Sequence, residues 1–177
     1  LFKLIEGRLL IVPGGVSAAD QVREWDSLLR FPITVRHQLA IDPLSLNARF
    51  LASLLPDSHV ASCLNDVHNT ETQVNILDVA SLFQEMEQQG VEMPPAGWHV
   101  TSDSLAGWLA SQWAVDHLVL AKSVEPPGLI PLQSGQVSLH HSLEQPVDGW
   151  FATLIPDLPP VSWCNLRGEN CSLFPYR

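Results

Sequence analysis

Short apolar runs alternate with amphipathic stretches along this chain, and that alternation predicts the fold. Arg8 to Val12 (RLLIV) is a continuous apolar run, too short for a helix and typical of a strand covered on both faces. Ahead of it, Leu1 to Glu6 reads as the tail of an apolar-faced helix, ended by Gly7 in a position that favours left-handed geometry. Pro13-Gly14-Gly15 breaks the strand. Ser17 is the expected N-cap of the next helix, with Asp20 three residues on as the partner in a capping-box-like pair. From Ala18 to about Leu29, Val22, Trp25, Leu28 and Leu29 recur at helical spacing. Strand, glycine turn and helix make the first half of a βαβ unit.

Pro32 stops that helix, and a second one is expected over roughly Ile33 to Leu55, broken at Asp42-Pro43 because proline disfavours α geometry in the residue before it. His59 to Leu64 reads as a short strand, Asn65 to Gln73 as a polar surface loop, and Val74 to Leu77 as another strand leading into a helix up to Gln89-Gly90. After the Pro94-Pro95-Ala96-Gly97 loop, Thr101, Ser102 and Asp103 are all acceptable caps for a helix carrying Leu105, Leu109 and Trp113 on one side. His117 to Ala121 is a second buried-strand pattern, followed by a forced turn at Pro126-Pro127-Gly128. A helix within Val147 to Ile155 and a last strand over Val161 to Leu166 complete the pattern. The class is α/β with a mainly parallel sheet, in one domain over residues 1–166 and a turn-rich tail over 167–177.

Composition narrows the function classes. The formal charge is −10, and Lys3 and Lys122 are the only lysines, so no cationic cluster exists to displace the counterions of a nucleic acid. No stretch approaches the ~20 apolar residues of a membrane span, and no signal segment opens the chain. A cytoplasmic protein is the expectation. Only 16% of residues are charged and six are Trp, which points to surface covered by another subunit, hence a homo-oligomer. Cys63, Cys164 and Cys171 form no C-x-x-C pair and read as idle thiols in a reducing compartment. The seven histidines, His140-His141 among them, lack metal-ligand spacing, and no metal site is expected. Neither G-x-G-x-x-G, a P-loop nor a G-x-S-x-G elbow occurs.

Three segments can carry chemistry. Gly14 and Gly15 follow a buried strand and precede a helix, where backbone amides can approach an anion. Thr101-Ser102-Asp103-Ser104 gathers hydroxyls and a carboxylate at a helix start, more than a single cap requires. Leu118 to Glu125 places Lys122 and Ser123 just past a strand end, where α/β sheets bind ligands.

In order and spacing, these segments resemble the amino-acid kinase family, which includes acetylglutamate, glutamate, uridylate and carbamate kinases. That family has a Gly-Gly turn after an early strand, an aspartate-bearing turn running into L-A-x-x-L-A, and a later strand ending in a nucleotide turn. Here these are Gly14-Gly15, Ser102-Asp103-Ser104-Leu105-Ala106-Gly107-Trp108-Leu109-Ala110, and Leu118 to Glu125. Trp98, Thr101 and Lys122-Ser123-Val124 are most similar to the small kinases of methanofuran and tetrahydromethanopterin one-carbon pathways, which act on an aminomethyl-furan-methanol phosphate.

The resemblance implies a three-layer αβα sandwich and an ATP-dependent small-molecule kinase, acting on a phosphorylated or amine-bearing acceptor with Mg²⁺. Gly14, Gly15, Thr101 and Ser102 would bind substrate and phosphate. Asp103 and Lys122 would be catalytic, and Lys122, Ser123 and Val124 would bind nucleotide. Two features depart from the family pattern. Its opening Lys-x-Gly-Gly strand has no counterpart before Gly14, so the family's first strand is expected to be missing from this chain, and Glu125-Pro126 stands where the nucleotide turn has Asp-Gly. These departures leave a second expectation open, a non-catalytic kinase-fold binding or partner subunit.

Overall fold

The computed structural model describes residues 7–124, 147–167 and 173–176. They fall into two compact units, Leu1–Leu105 and Ala106–Arg177. The first carries β1 (Leu9–Ile11), α1 (Val16–Leu29), α2 (Ile33–Leu54), β2 (Ser58–Ala61), α3 (Leu64–Asn69), β3 (Val74–Leu77) and α4 (Val79–Gln88). Helix α5 (Ser102–Gln112) starts in this unit and ends in the next.

The sheet of the first unit is wholly parallel, in the order β1-β3-β2, with Ile11 opposite Ile76 and Ile76 opposite Val60. The central strand β3 is its most buried: Ile76 and Leu77 have no exposure, nor do Val79 and Leu82 of α4. Val74, Ile76 and Leu77 make this strand legible as a short apolar segment, and its polar member, Asn75, is fully buried and donates its Nδ2 to the Thr72 carbonyl at 2.7 Å. All three strands deliver their carboxyl ends to one rim, where Gly14, Ser62 and Asp78 follow β1, β2 and β3.

Several expectations for this unit are corrected. No break interrupts α2 at Asp42-Pro43; Pro43 sits inside a continuous 22-residue helix. An internal proline costs about 3 kcal/mol, and here Ile41, Pro43, Leu44 and Ala48 are all buried around it, so packing outweighs the missing hydrogen bond. The polar stretch expected as a loop contains α3. That helix is too short to show periodicity: it buries only Val67, and its Asp66 carboxylate takes the Ser62 N–H at 3.1 Å. Helix α1 begins at Val16 with Gly15 as N-cap and no side-chain cap, so Ser17 lies in the first turn and does not cap it. Its buried residues are Val22 and Asp26, whereas Trp25, Leu28 and Leu29 are exposed.

In the second unit, β4 (Leu118–Lys122), α6 (Phe151–Leu154) with a 3-10 turn over Ile155–Asp157, β5 (Val161–Asn165) and β6 (Leu173–Pro175) surround a core of Leu120, Val147, Phe151, Val161 and Trp163. Strands β4 and β5 are parallel; β6 runs antiparallel to β5. Part of the stretch expected as a tail is therefore a strand, and Tyr176 beyond it stacks on Trp163 at 5.9 Å. Both units are mixed α/β. The forced turn at Pro126-Pro127-Gly128 lies outside the described residues. Among the described residues, no helix is long and apolar enough to cross a membrane.

Candidate functional site at the end of the first strand

The Gly14-Gly15 turn follows β1, and its two glycines are there for different reasons. A Cβ on Gly15 would lie 2.5 Å from the Ala19 Cβ, so the packing of α1 excludes any side chain. A Cβ on Gly14 would meet nothing closer than the Ser102 Oγ at 3.6 Å, an ordinary contact. Gly14 is not among the positive-φ residues either. Neither sterics nor backbone geometry requires glycine at 14. Val16, directly after the pair, is β-branched and exposed with φ of 49°, a strained conformation beside the turn.

Gly14 and Ser102 are therefore brought together, although 88 positions separate them (102 minus 14). Helix α5 starts where the Leu105 N–H donates to the Thr101 carbonyl at 3.0 Å. Thr101, Ser102 and Asp103 are half-buried, and Ser104 is fully buried. The Asp103 carboxylate in the first turn suits the positive end of the helix. On the other side of the turn, the Asn47 Nδ2 of α2 donates to the Gly14 carbonyl at 2.6 Å.

The segment leading into Thr101 is anchored by Trp98. Its indole Nε1 donates to the Asp26 carboxylate, which also accepts the Phe31 N–H at 3.1 Å and faces Arg36 at 3.4 Å. The Arg23 guanidinium lies over the Trp98 ring at 5.0 Å. The Trp98 hydrogen bond does most to hold the Asp26 carboxyl below the ordinary carboxylate value; burial opposes it, and Arg36 and the Phe31 N–H reinforce it.

Lys122, Ser123 and Val124 belong to the second unit. Lys122 is the last residue of β4, within the strand instead of past it, and its ammonium lies 5.8 Å from the centre of the Trp163 ring. Its carbonyl accepts the Leu166 N–H at 2.8 Å, while the Val124 carbonyl accepts the Trp163 Nε1–H at 2.9 Å. Ser123 is exposed. Glu125 and the residues after it, up to His140-His141 and beyond, lie outside the described residues, as does Cys171. Cys164 is buried and Cys63 half-buried, and neither forms a disulfide among the described residues.

Three polar residues of the first unit escaped the sequence patterns. Asp26 stands four residues after the buried Val22, a spacing that could have revealed it as a buried acid. Asp78 caps α4, accepting from Ser45 Oγ and from the Ser81 N–H at 3.3 Å, with Arg49 at 3.6 Å. An Asp between an apolar strand and a helix is a recognisable cap signal. Nothing in the sequence marks Asn47. Among the described residues, no group of three or more His, Cys, Asp or Glu side chains could hold a metal ion. A magnesium ion that keeps its waters and bridges nucleotide phosphates asks for one or two carboxylates only, and Asp103 beside Ser102 can supply one.

No protein-family model matches the chain, and no curated protein matches it.

Proposed function

We propose that the chain is an ATP- and Mg²⁺-dependent small-molecule kinase of the amino-acid kinase type. The observation that carries the proposal is the meeting of Gly14 with Ser102: a glycine that the fold does not need, at the carboxyl end of a parallel strand, facing the hydroxyl-rich start of a second helix. Phosphoryl transfer depends mainly on positioning and charge neutralisation, and amides, hydroxyls and one carboxylate at such a rim are the groups it uses.

In this proposal Gly14, Gly15, Thr101 and Ser102 hold the acceptor and the moving phosphoryl group. Asp103 orients the cationic partners, and Lys122, Ser123 and Val124 serve the nucleotide. The terminal phosphorus–oxygen bond of ATP breaks, a bond to an acceptor oxygen forms, and ADP leaves. The acceptor is small, phosphorylated or amine-bearing, on the pattern of an aminomethyl-furan-methanol phosphate in methanofuran synthesis. A three-layer αβα arrangement, a cytoplasmic setting and a homo-oligomer complete the proposal. The exposed Leu46, Phe50 and Leu54, four residues apart along α2, support the last. The deciding experiment is nucleotide-dependent product formation with candidate acceptors: it should be abolished in Asp103→Asn, and activity unchanged in that variant removes Asp103 from the chemistry.

A second proposal, a non-catalytic partner subunit with the kinase fold, is favoured by the position of Lys122, whose ammonium sits over the Trp163 ring, where it also serves the core of the second unit. A chain that binds Mg-ATP and phosphorylates none of the acceptors fits this second proposal.

A further inference from the structure

Trp98 seats the segment that runs into α5, and the seat leaves that segment little freedom. Its indole Nε1 donates to Asp26 Oδ2 at 2.8 Å, and the Arg23 guanidinium covers its ring at 5.0 Å. Gly97, directly before it, has φ of 152°, which favours glycine, and a Cβ there would lie 2.6 Å from the His99 Nδ1. The Val100 N–H donates to the Gly97 carbonyl at 3.2 Å and closes residues 97–100 into a turn. Only His99, Val100 and Thr101 separate Trp98 from Ser102. A closed turn has no slack, so the seat of the indole decides where Ser102 stands relative to Gly14.

The acceptor of that bond is a costly choice. Asp26 is buried on a helix whose Trp25, Leu28 and Leu29 are exposed. An apolar side chain would bury at less cost, since a carboxylate taken out of water needs donors to offset its lost hydration. Apolar contact is non-directional, however, whereas charge-assisted hydrogen bonds fix a partner in angle as well as distance. We propose that Asp26 and Trp98 are positioning residues for phosphoryl transfer: their bond holds Ser102 opposite Gly14, with Asp103 beside it. This rests on the kinase proposal above. In this role neither side chain meets the reacting atoms; both act through the turn at 97–100.

Steady-state kinetics of the full chain tests this, with Mg-ATP and an aminomethyl-furan-methanol phosphate, well below the melting temperature of each protein. Trp98→Phe keeps an aromatic ring and loses the donor; Asp26→Leu keeps the bulk and loses the acceptor. Each should lower kcat about ten- to a hundredfold, as a misplaced group does, and leave the KM for Mg-ATP within about twofold. The double variant should lose no more than the larger single loss, because both changes break the same bond. A purely structural bond lowers the melting temperature and leaves kcat alone; that result, in Trp98→Phe by itself if Asp26→Leu does not fold, overturns the positioning role only. Losses that multiply in the double variant also overturn it. A parent chain with no turnover overturns the kinase proposal, and the positioning role with it.

Discussion

The indole nitrogen of Trp98 donates to the Asp26 carboxylate at 2.8 Å, tying the segment before α5 to the last turns of α1 across 72 positions of sequence. The same helix begins at the Gly14-Gly15 turn, which faces Ser102. Segment 98–102 is thus referenced to α1 at both ends, and α1 links the Gly14-Gly15 turn to the Thr101-Ser102 segment.

Acid stability reports on this tie. The Asp26 carboxyl is held below its ordinary value of 3.8, with the Trp98 hydrogen bond as the largest cause. A depressed carboxylate contributes its stabilisation in full above the ordinary value and loses it as pH falls through the lower folded value. Trp98→Phe removes the donor and lets the Asp26 value rise. Acid unfolding followed by circular dichroism should then begin at higher pH than in the parent. A superimposable acid limb would show that the indole bond contributes nothing there.

The two glycines of the turn should respond oppositely to the same change. Gly15→Ala forces a Cβ to within 2.5 Å of Ala19 and should cost about 1–3 kcal/mol as overpacking. Gly14→Ala has room beside Ser102 and should stay within about 0.5 kcal/mol of the parent. Urea unfolding of both variants measures the difference, and equal losses would mean that the turn is built otherwise.

Helix α2 carries Leu46, Phe50 and Leu54 outward at 59%, 63% and 60% exposure, so the line faces solvent in a single chain. If a second copy covers it, Phe50→Glu desolvates a charge at the contact and should convert a multimer into a monomer by light scattering after size exclusion. A parent chain that already elutes as a monomer contradicts the homo-oligomer.

In the second unit Trp163 is fully buried, bonds the Val124 carbonyl and lies under Lys122. Trp163→Phe loses the indole donor and part of the ring, and should destabilise this unit by about 1–3 kcal/mol. Thermal unfolding should show the loss, with Lys122→Met, which keeps the stem over the ring, losing much less.

What the sequence disclosed follows from how far each signal reaches. Val74–Leu77, Leu118–Lys122 and Val161–Asn165 are legible because each is short and mostly apolar, with only Asn75, Lys122, Ser162 and Asn165 interrupting or ending the runs. Pro43 misled because its local rule concerns backbone hydrogen bonds, whereas its place inside α2 is decided by buried neighbours. Of the apolar series Val22, Trp25, Leu28 and Leu29, only Val22 turns inward on α1, and Asp26 turns inward with it, since donors from Phe31, Arg36 and Trp98 meet its charge. Those donors lie 5, 10 and 72 positions away, and no periodicity encodes them. Gly14, Gly15 and Ser102 stood out by residue type; Asn47 did not, because a single amide on a long helix carries no local pattern.

The central claim, that phosphate approaches the bare Cα of Gly14 opposite Ser102, is tested most directly by titrating Mg-ATP into the parent chain and into Gly14→Ala by calorimetry. A methyl group at residue 14 that leaves the melting temperature unchanged and weakens binding at least tenfold is the predicted result. Undiminished affinity in that variant would contradict it.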